Sequence, residues 1–289
     1  QLSDMKFRDY QIRIIKTATG VLQAHRFVYL SMEVRTGKTL TALGVAEKLG
    51  IQNLLFVTKK KAISSIEADY KKLMPGYQIT IINYESLHKV QGVFDFVVLD
   101  EAHTLGAYPK PSKRTKLVKQ IILRQNPFVV LMSGTPTPES FSQIYHQVYA
   151  CAKNPFSQYK TFYKFAKEYV NVTQQMFHSM PSNNYDDGKP EILDRMKPYM
   201  ISYTQKEAGF KSKIQEHVLK VQMSELTYRF VKEMREHGVI EGKKTKEVIL
   251  GDTGVKRMSK IHQLFSGTVK LENGKRMITD LSKAKFIRT

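Results

Sequence analysis

Short apolar runs alternate with longer amphipathic segments through the first half of the chain. The runs are continuous and end at polar or turn residues, which is typical of strands buried on both faces. They are Phe27–Leu30, Leu54–Val57, Ile79–Ile82, Phe96–Leu99 and Phe128–Met132. The segments between them that are long enough for crossover helices are Leu40–Leu49, Ala62–Leu73 and Arg114–Arg124. This repeat predicts an α/β fold with a mostly parallel sheet.

The hydrophobic pattern changes after Glu139. From there to about Val170 the apolar residues recur at helical spacing, which predicts two helices added to the sheet. Their apolar positions are Phe141, Ile144, Tyr145, Val148 and Tyr149, then Tyr159, Phe162, Tyr163, Ala166 and Tyr169. The turn-rich stretch Met180–Pro190 predicts an exposed loop.

The last part of the chain mixes strand, helix and turn signals. Ile214–Met223 has strand character, and Ser224 is the predicted N-cap of a helix. The predicted buried stripe of that helix is Leu226, Phe230, Val231 and Met234. A hairpin is predicted at Glu241-Gly242, a helix over Val255–Phe265, and a second hairpin at the two-residue turn Asn273-Gly274. We divide the chain into a core (1–150), a helical protrusion with the exposed loop (151–210) and a C-terminal segment (211–289).

Composition narrows the class of protein. The 289 residues include 46 Lys and Arg against 26 Asp and Glu, a net charge of +20. Such a basic surface favours a polyanionic partner, nucleic acid first, although general solubility is the simpler alternative. The single cysteine, Cys151, excludes an internal disulfide and a Cys-rich zinc site. Neither a membrane-spanning run nor a signal-peptide core is evident in the sequence, so we expect a cytosolic or nuclear protein.

A phosphate-binding loop is predicted between the first strand and the helix after it. Thr36-Gly37-Lys38-Thr39 follows that strand directly. Backbone N–H groups at a helix N-terminus hold phosphate oxygens, a lysine reaches the β- and γ-phosphates, and a hydroxyl coordinates Mg²⁺. Lys38 and Thr39 suit the last two roles. Met32 stands where the usual motif has its first glycine, so an ordinary helix start is the alternative interpretation.

Two carboxylates follow the fourth apolar run. Asp100 stands at the predicted strand end, where NTPases hold Mg²⁺, and the adjacent Glu101 can orient and deprotonate an attacking water. Taken alone, Asp100-Glu101-Ala102-His103 could equally be the solvent-exposed start of a helix. After a buried strand and a Gly-Lys-Thr loop, it indicates a nucleotide site. The fifth run ends in a similar polar turn, Ser133–Pro136.

These motifs resemble those of superfamily-two helicase and translocase ATPases, more narrowly of the Swi/Snf-like branch. The stretches that carry the resemblance are Phe7–Gln11, Thr36–Thr39, Val57–Ala62, Ile82–Glu85, Asp100–His103 and Ser133–Pro136. Met196–Glu207 resembles the segment after the family's protrusion, and His262–Gly267 the helix before its second lobe in phage and bacterial members. The resemblance implies a RecA-like P-loop NTPase domain with ATP and Mg²⁺ as cofactors.

The resemblance also implies roles for single residues. Gln11 would read the adenine edge, while Thr36, Gly37, Lys38 and Thr39 would bind the nucleotide. Thr39 and Asp100 would hold Mg²⁺, and Lys38, Asp100 and Glu101 would be catalytic, with Glu101 as the base. Coupling between nucleotide state and movement would fall to His103, Ser133 and Thr135. Nucleic-acid contacts would fall to Lys59, Lys60, Asn83 and Tyr84, although Lys59–Lys61 could equally be a solvated lysine run.

Two departures from the family pattern qualify these expectations. First, Arg35 stands where remodellers usually have glycine. Second, the family's second RecA-like lobe, with its arginine finger, would begin near Ser282–Ile287, whereas the sequence ends at Thr289. We therefore expect a first lobe that binds nucleotide weakly and hydrolyses it very slowly. Its expected partners are double-stranded DNA and that second lobe, with no membrane. The expected location is a prokaryotic or phage-host cytoplasm, or the nucleus in a eukaryote.

Three alternatives stay open from sequence. An RNA-directed DExH helicase or a restriction-type translocase would share the nucleotide motifs, and a catalytically silent nucleic-acid-binding module could keep the same fold. A further ambiguity concerns Tyr159–Lys167, in which aromatic residues alternate with lysines. These aromatics could stack on bases. We favour buried aromatics with Lys160, Lys164 and Lys167 on an outer face, which could still contact phosphates.

Overall fold

A computed structural model of the chain describes residues 7–177, 180–209, 218–241, 247–251 and 254–288. The chain divides into two compact units, Gln1–Ser212 and Lys213–Thr289. The helices and strands of the first unit are α1 (Asp9–His25), β1 (Phe27–Met32), α2 (Lys38–Leu49), β2 (Asn53–Thr58), α3 (Ile63–Leu73), β3 (Gln78–Asn83), β4 (Phe96–Asp100), α4 (Lys113–Gln125), β5 (Phe128–Met132), α5 (Ile144–Val148), α6 (Phe162–Tyr169), β6 (Thr173–Phe177), β7 (Met180–Asn184), α7 (Glu191–Met196) and β8 (Met200–Tyr203).

The five predicted strands and β8 form one six-stranded sheet in the order β3-β2-β4-β5-β1-β8, and every neighbouring pair is parallel. The predicted α/β fold is thereby confirmed. The sixth strand, β8, lies beside β1 and was not predicted as a strand. Because all six run the same way, their carboxyl ends meet at one edge of the sheet.

Helices cover both faces of the sheet. One core contains apolar side chains of α1, α2 and α3, including Ile14, Leu22, Leu43 and Ile66. The core of the opposite face includes Val118 of α4, Ile144 of α5 and Phe165 of α6. Burial on both faces explains why the strands are continuous apolar runs rather than alternating ones.

The helical spacing after Glu139 is confirmed as two short helices, α5 and α6. The predicted exposed loop at Met180–Pro190 is wrong in its first half, because β7 pairs antiparallel with β6 from Asn184 back to Met180. Backbone hydrogen bonds to β6 make that segment a strand, although its Pro, Ser and Asn residues have low strand propensity. Residues Tyr185–Pro190 have no regular strand or helix apart from a single bridge at Gly188.

The second unit consists of α8 (Glu225–His237), β9 (Val239–Glu241), β10 (Val248–Leu250), α9 (Gly254–Phe265), β11 (Thr268–Lys270), β12 (Arg276–Ile278) and α10 (Ser282–Arg288). Both predicted hairpins are present as the antiparallel pairs β9–β10 and β11–β12. The turn after Glu241 lies outside the described residues. The second turn has three residues, Glu272–Gly274, instead of the predicted two, because the Leu271 N–H donates to the Lys275 carbonyl across it.

Two predictions for this unit need correction. Val218–Met223 has no strand, and Ile214–His217, the start of the predicted strand, falls outside the described residues. Ser224 does cap α8 by accepting a hydrogen bond from the Thr227 backbone N–H. The buried positions are Thr227, Val231 and Met234, whereas Leu226 is exposed. Thr227 faces inward because its hydroxyl donates to Asp280, so a polar contact sets the inward face of the first turn.

Asp280 lies at the centre of a hydrogen-bond cluster in the second unit. Its Oδ2 accepts from the Ser224 backbone N–H and hydroxyl and from the Thr227 hydroxyl, at 2.7 to 2.8 Å, and its Oδ1 accepts from the Ser282 N–H at 2.8 Å. The hydrogen bonds from Ser282, Ser224 and Thr227 hold the pKa of Asp280 far below its ordinary value. The carboxylate form therefore stabilises the folded state.

Replacing Asp280 by asparagine is expected to weaken α8, because the amide NH₂ cannot accept the bonds that one carboxylate oxygen accepts. We expect a loss of about 1 kcal/mol near neutral pH. A lowered folded pKa gives stability that is present above the unfolded value of about 3.9 and is lost as the pH falls below it. Amide hydrogen exchange of α8 should show the loss at neutral pH and a smaller difference from wild type near pH 3. An equal difference at both values would contradict this account.

The predicted division at residues 150 and 210 stays a prediction about domain organisation. Among the described helices, none is both long and apolar enough to cross a membrane.

Candidate functional site

The predicted nucleotide residues converge at the carboxyl edge of the sheet. Three loops meet there, after β1, β4 and β5, and a cleft of about 480 Å³ lies among them. Lys38, Glu101, His103 and Thr135 are among the residues that line it. Ligands of parallel α/β sheets bind at this edge, so the cleft is the candidate site.

The loop between β1 and α2 requires glycine at position 37. Gly37 is the N-cap of α2 with φ +76°, a left-handed conformation that glycine adopts without strain. A Cβ at this position would lie 2.6 Å from Nε2 of Gln11. The first N–H groups of a helix have no intrahelical partner, so the start of α2 presents free donors for an anion.

Gln11 lies directly against this loop. Its side chain is 4% exposed; Nε2 donates to the Gly37 carbonyl at 3.2 Å, and Oε1 accepts from the Arg8 N–H at 3.0 Å. Thr36 is buried, and its hydroxyl donates to the Glu33 carbonyl at 2.6 Å. Gln11 and Thr36 therefore fix the loop's shape in this structure. The adenine contact of Gln11 stays a prediction.

A segment that the sequence did not mark as part of the site holds the start of the loop. Glu33 Oε2 accepts from the Gln205 backbone N–H at 2.8 Å, and the Gln205 side chain donates to the Val34 carbonyl at 3.0 Å. Just before it, Tyr203 of β8 stacks on Tyr10 with ring centroids 4.5 Å apart. The loop is thus tied to both α1 and β8.

Lys38 reaches into the cleft from the first turn of α2. Burial lowers the pKa of its ammonium group, and the charges of Asp100, Glu101 and Glu33 oppose that shift. Within the described residues it forms no ion pair or hydrogen bond with any of these carboxylates. A partly desolvated cation with nearby acids but no close partner is suited to receive an anionic ligand. Thr39 follows Lys38 in the same helical turn.

Asp100 ends β4 beside the end of β2, since these strands are neighbours. Thr58, the last residue of β2, donates its hydroxyl to Asp100 Oδ2 at 2.7 Å. Burial raises the pKa of Asp100, whereas the Thr58 hydrogen bond and, more weakly, the charge of Lys38 lower it. Tyr84 donates its hydroxyl to the Asp100 backbone carbonyl at 2.7 Å. The Thr58 hydroxyl therefore orients the Asp100 carboxylate, although sequence analysis did not single out Thr58.

Glu101 stands at the sharp turn after β4 with φ +51°, a conformation that non-glycine residues rarely adopt and that clusters at functional sites. Its Oε1 lies 3.4 Å from Lys59 Nζ and its Oε2 lies 3.4 Å from His103 Nδ1. Both partners hold the carboxylate at the cleft. The distance of Lys59 from Glu101 was not predicted, because the two residues follow different strands.

The predicted coupling residues form a hydrogen-bonded chain. His103 Nδ1 lies 2.9 Å from Ser133 Oγ, which accepts from the Thr135 backbone N–H at 3.1 Å. Buried Tyr29 of β1 donates its hydroxyl to Oε1 of Gln147, in α5, at 2.7 Å. Gln147 in turn donates to the Pro136 carbonyl at 2.9 Å. Helix α5 is therefore linked to the turn after β5, a connection that sequence analysis missed.

The four predicted nucleic-acid residues do not share one environment. Lys59 and Lys60 are exposed, and Asn83 is half-buried at the end of β3. Tyr84 is only 3% exposed and packs in the core, where Arg114 lies over its ring at 4.8 Å. We therefore leave Tyr84 out of any nucleic-acid surface and assign it to support of Asp100.

Arg35, the departure from the family's glycine, has φ +63°, so the backbone keeps the conformation that glycine would favour. Its side chain is exposed and does not line the cleft.

A parallel sheet with a phosphate loop after β1 and an Asp-Glu pair after β4 defines a P-loop NTPase of the RecA-like class. The chain belongs to the SNF2-related domain family, whose model matches residues 24–277. It is a Swi/Snf-like ATPase domain of superfamily two.

One solved structure supports this fold. The SWI2/SNF2 ATPase core domain of Sulfolobus solfataricus is similar over 91% of this chain and 58% of its own, with 14% identity and a TM-score of 0.55. A second similar structure is the ATP-dependent Type ISP restriction-modification enzyme LlaBIII bound to DNA, with 19% identity and a TM-score of 0.33 over 44% of this chain and 13% of its own. This chain therefore spans less than two thirds of either structure. No curated protein matches it significantly.

Proposed function

We propose that the chain is the ATP-binding first lobe of a translocase that moves on double-stranded DNA, with hydrolysis dependent on Mg²⁺. One observation carries the proposal: Lys38 at the start of α2 and Glu101 just after β4 line one cleft, and the charges of Glu101 and of Asp100 at the end of β4 act on Lys38. Thr39 follows Lys38 in the same turn of α2. A phosphate chain on the α2 N-terminus would lie between a cation and two carboxylates. This is the arrangement that in-line phosphoryl transfer to water requires.

The donors present fit a magnesium ion. No three His, Cys, Asp or Glu side chains cluster as ligands within the described residues. Mg²⁺ is commonly held by one or two protein oxygens together with phosphates and waters, so the Thr39 hydroxyl and an Asp100 carboxylate suffice. When bound, Mg²⁺ neutralises the charge that develops on the phosphates.

The protein's own residues supply the remaining chemistry. Lys38 binds and orients the γ-phosphate, and Glu101 accepts a proton from the attacking water. An arginine is needed to stabilise the transition-state charge, a contribution of about 10³- to 10⁵-fold in rate. None of the described residues that line the cleft is an arginine. We propose that a second RecA-like lobe supplies it and that the first lobe alone hydrolyses ATP very slowly.

Replacing Thr58 by valine tests the metal role of Asp100. The substitution keeps the shape of the side chain but removes the hydroxyl that lowers the pKa of Asp100. Loss of a residue that orients a metal ligand typically costs about 10- to 100-fold in metal affinity. We therefore expect a fluorescent ATP analogue to need about that much more Mg²⁺ for half-maximal binding at neutral pH. Thr19→Val, which removes a buried hydroxyl from α1, is the control. An unchanged midpoint in Thr58→Val would contradict the assignment.

Nucleic-acid binding is proposed for the exposed lysines at the same edge of the sheet. Lys59 and Lys60 follow β2, beside the nucleotide cleft. Phosphate contacts position a protein without reading sequence, which suits a translocase. Lys59 is also the ion-pair partner of Glu101, with 47% of its side chain exposed. A DNA phosphate that captured Lys59 would free one oxygen of the catalytic base, so DNA binding and ATP hydrolysis would be coupled directly.

Neutralising Lys59 and Lys60 together is expected to weaken duplex DNA binding uniformly across sequences. The slope of log affinity against log salt should fall by about one for each phosphate that the protein no longer neutralises. The measurement is fluorescence anisotropy of a labelled duplex at several salt concentrations. The matched control is Lys71→Gln with Lys72→Gln, two neighbouring exposed lysines in the last turn of α3.

The same titration separates the alternatives. Tighter binding of duplex or single-stranded RNA than of duplex DNA at matched salt would favour an RNA-directed helicase. Equal weakening by the control pair would contradict the proposed surface. If the wild-type chain bound DNA but no ATP analogue with Mg²⁺, a catalytically silent nucleic-acid module would be the better description.

A further inference from the structure

A second cavity, of about 340 Å³, lies among α4, α5, α6 and the segment before α4. It shares no lining residue with the nucleotide cleft. Its volume falls within the range of pockets that hold small organic ligands. Nothing in the proposed hydrolysis of ATP uses it.

Aromatic rings form much of its wall. His146 and Phe162 are stacked with centroids 5.8 Å apart, and Tyr149 and Tyr163 also line the cavity. Burial lowers the pKa of His146, and its Nε2 lies 2.9 Å from the Pro109 carbonyl, so the ring is a neutral donor to that oxygen. Tyr163 is 45% exposed, although α6 buries its other aromatic residues. Such walls favour a planar aromatic ligand.

Four lysines surround this aromatic cavity: Lys110, Lys116, Lys119 and Lys160. No acidic residue is among the described residues that line it. Lys119 Nζ lies 3.8 Å from the centroid of the Tyr149 ring, which is its close contact in place of a carboxylate. None of the four forms an ion pair within the described part of the chain. A concentration of positive charge with no counter-charge is suited to an anion.

The ligand must therefore combine a planar ring with negative charge, which is the chemistry of a nucleobase and its phosphate. Exposed lysines continue beyond the cavity along the same helices, with Lys113 on α4 and with Lys164 and Lys167 on α6. That extension suits a chain of phosphates better than a single one. We propose that this cavity binds an unstacked base of a single-stranded nucleic acid, with the flanking phosphates on the lysines.

One side chain links the wall of the cavity to the turn after β5. Gln147, in its wall, accepts from Tyr29 and donates to the Pro136 carbonyl, just after Ser133–Thr135. A base in the cavity would lie next to the residue that fixes this turn. The inference extends the proposed nucleic-acid function to a strand with free bases, and it does not depend on ATP hydrolysis.

The chain contains no tryptophan, so one can be introduced as a reporter of stacking. Tyr163→Trp places an indole at the mouth of the cavity. Tyr228→Trp, at a position that is also 45% exposed but lies in the second unit, is the control. Titration with an oligothymidylate of about 12 nucleotides should quench the first indole saturably and leave the second nearly unchanged.

Two further comparisons separate stacking from charge. In the otherwise wild-type chain, Tyr163→Ala should raise Kd for a labelled oligothymidylate about fivefold to a hundredfold, whereas Tyr163→Phe keeps the ring and the affinity. In the Tyr163→Trp background, Lys116→Gln should raise Kd about threefold to tenfold. Lys71→Gln, an exposed lysine of α3 that lies outside the cavity lining and on the other face of the sheet, should change it less.

Each outcome decides the inference. Quenching by thymidine monophosphate at concentrations where the oligothymidylate has no effect would overturn it in favour of a free-nucleotide site. Quenching by an acidic tyrosine-containing peptide alone would overturn it in favour of a protein partner. Absence of quenching while duplex DNA still binds through Lys59 and Lys60 would overturn it and leave the proposed function standing. Quenching without duplex binding would support it and count against that function.

Discussion

Replacing Glu101 by glutamine is expected to lower the rate of ATP hydrolysis by about 10²- to 10⁴-fold, the usual contribution of a positioned general base. Glutamine has nearly the same shape but cannot accept a proton from water. The carboxylate already stands at the cleft between Lys59 and His103. Because the wild-type rate is expected to be low, the measurement is single-turnover release of labelled phosphate with protein in excess over ATP.

Binding and hydrolysis should separate in this variant. ATP affinity should not fall, because Glu101 is proposed to act on the attacking water and not to bind the phosphates. Glu67→Gln is a suitable control because it makes the same change at an exposed glutamate of α3 that does not line the cleft. If Glu101→Gln hydrolysed ATP at the wild-type rate, another group would have to be the base. A fast DNA-stimulated rate in the wild-type chain would contradict the need for a second lobe.

The convergence of the candidate site residues at one edge of the sheet is the feature that the sequence predicts best. Lys38 follows an apolar run, and so do Asp100 and Ser133. Apolar runs of this length predict parallel strands, and the carboxyl ends of parallel strands meet at one edge. Adjacency of these residues in space thus follows from local pattern alone. The start of α8 was also predictable from neighbouring residues, because Ser224 caps it as predicted.

Contacts that depend on strand order were not predictable. Thr58 reaches Asp100, and Lys59 reaches Glu101, because β2 is the neighbour of β4. Nothing in a single sequence fixes that order. The edge strand β8 and its extension to Gln205 were missed for the same reason, since their hydrogen bonds are made to residues far away in the chain.

The burial of tyrosine side chains was the second feature that the sequence did not predict. The resemblance predicts a nucleic-acid contact for Tyr84, yet its ring is buried and its hydroxyl donates to the Asp100 backbone carbonyl. A tyrosine has an apolar ring and a polar tip, so its sequence position does not reveal which of the two decides its place. Lysines are more predictable, because an unpaired ammonium rarely leaves solvent. Lys59 and Lys60 are accordingly exposed.

Replacing Lys38 by alanine is expected to have the largest effect on ATP binding. A hydrogen bond to a charged group contributes about 1.5–3 kcal/mol, so Kd should rise about 10- to 150-fold for each bond that Lys38 makes to a phosphate oxygen. Lys48→Ala, an exposed lysine in the last turn of the same helix, is the control. Isothermal titration calorimetry with Mg²⁺ present measures both. A rise of less than about threefold for Lys38→Ala would contradict the role assigned to it.

The pH dependence of the wild-type chain gives an independent test of the same residue. Only the ammonium form of Lys38 attracts phosphate, so affinity should be constant below the pKa of the free protein and fall above it. Burial lowers that pKa, so the fall should begin at a lower pH than the ordinary lysine value of about 10.4 would give. Lys38→Ala should lose this dependence. Lys38→Arg should lose it too, because arginine stays charged throughout the range. A fall in affinity that persists at the same pH in both variants would assign the titration to another group.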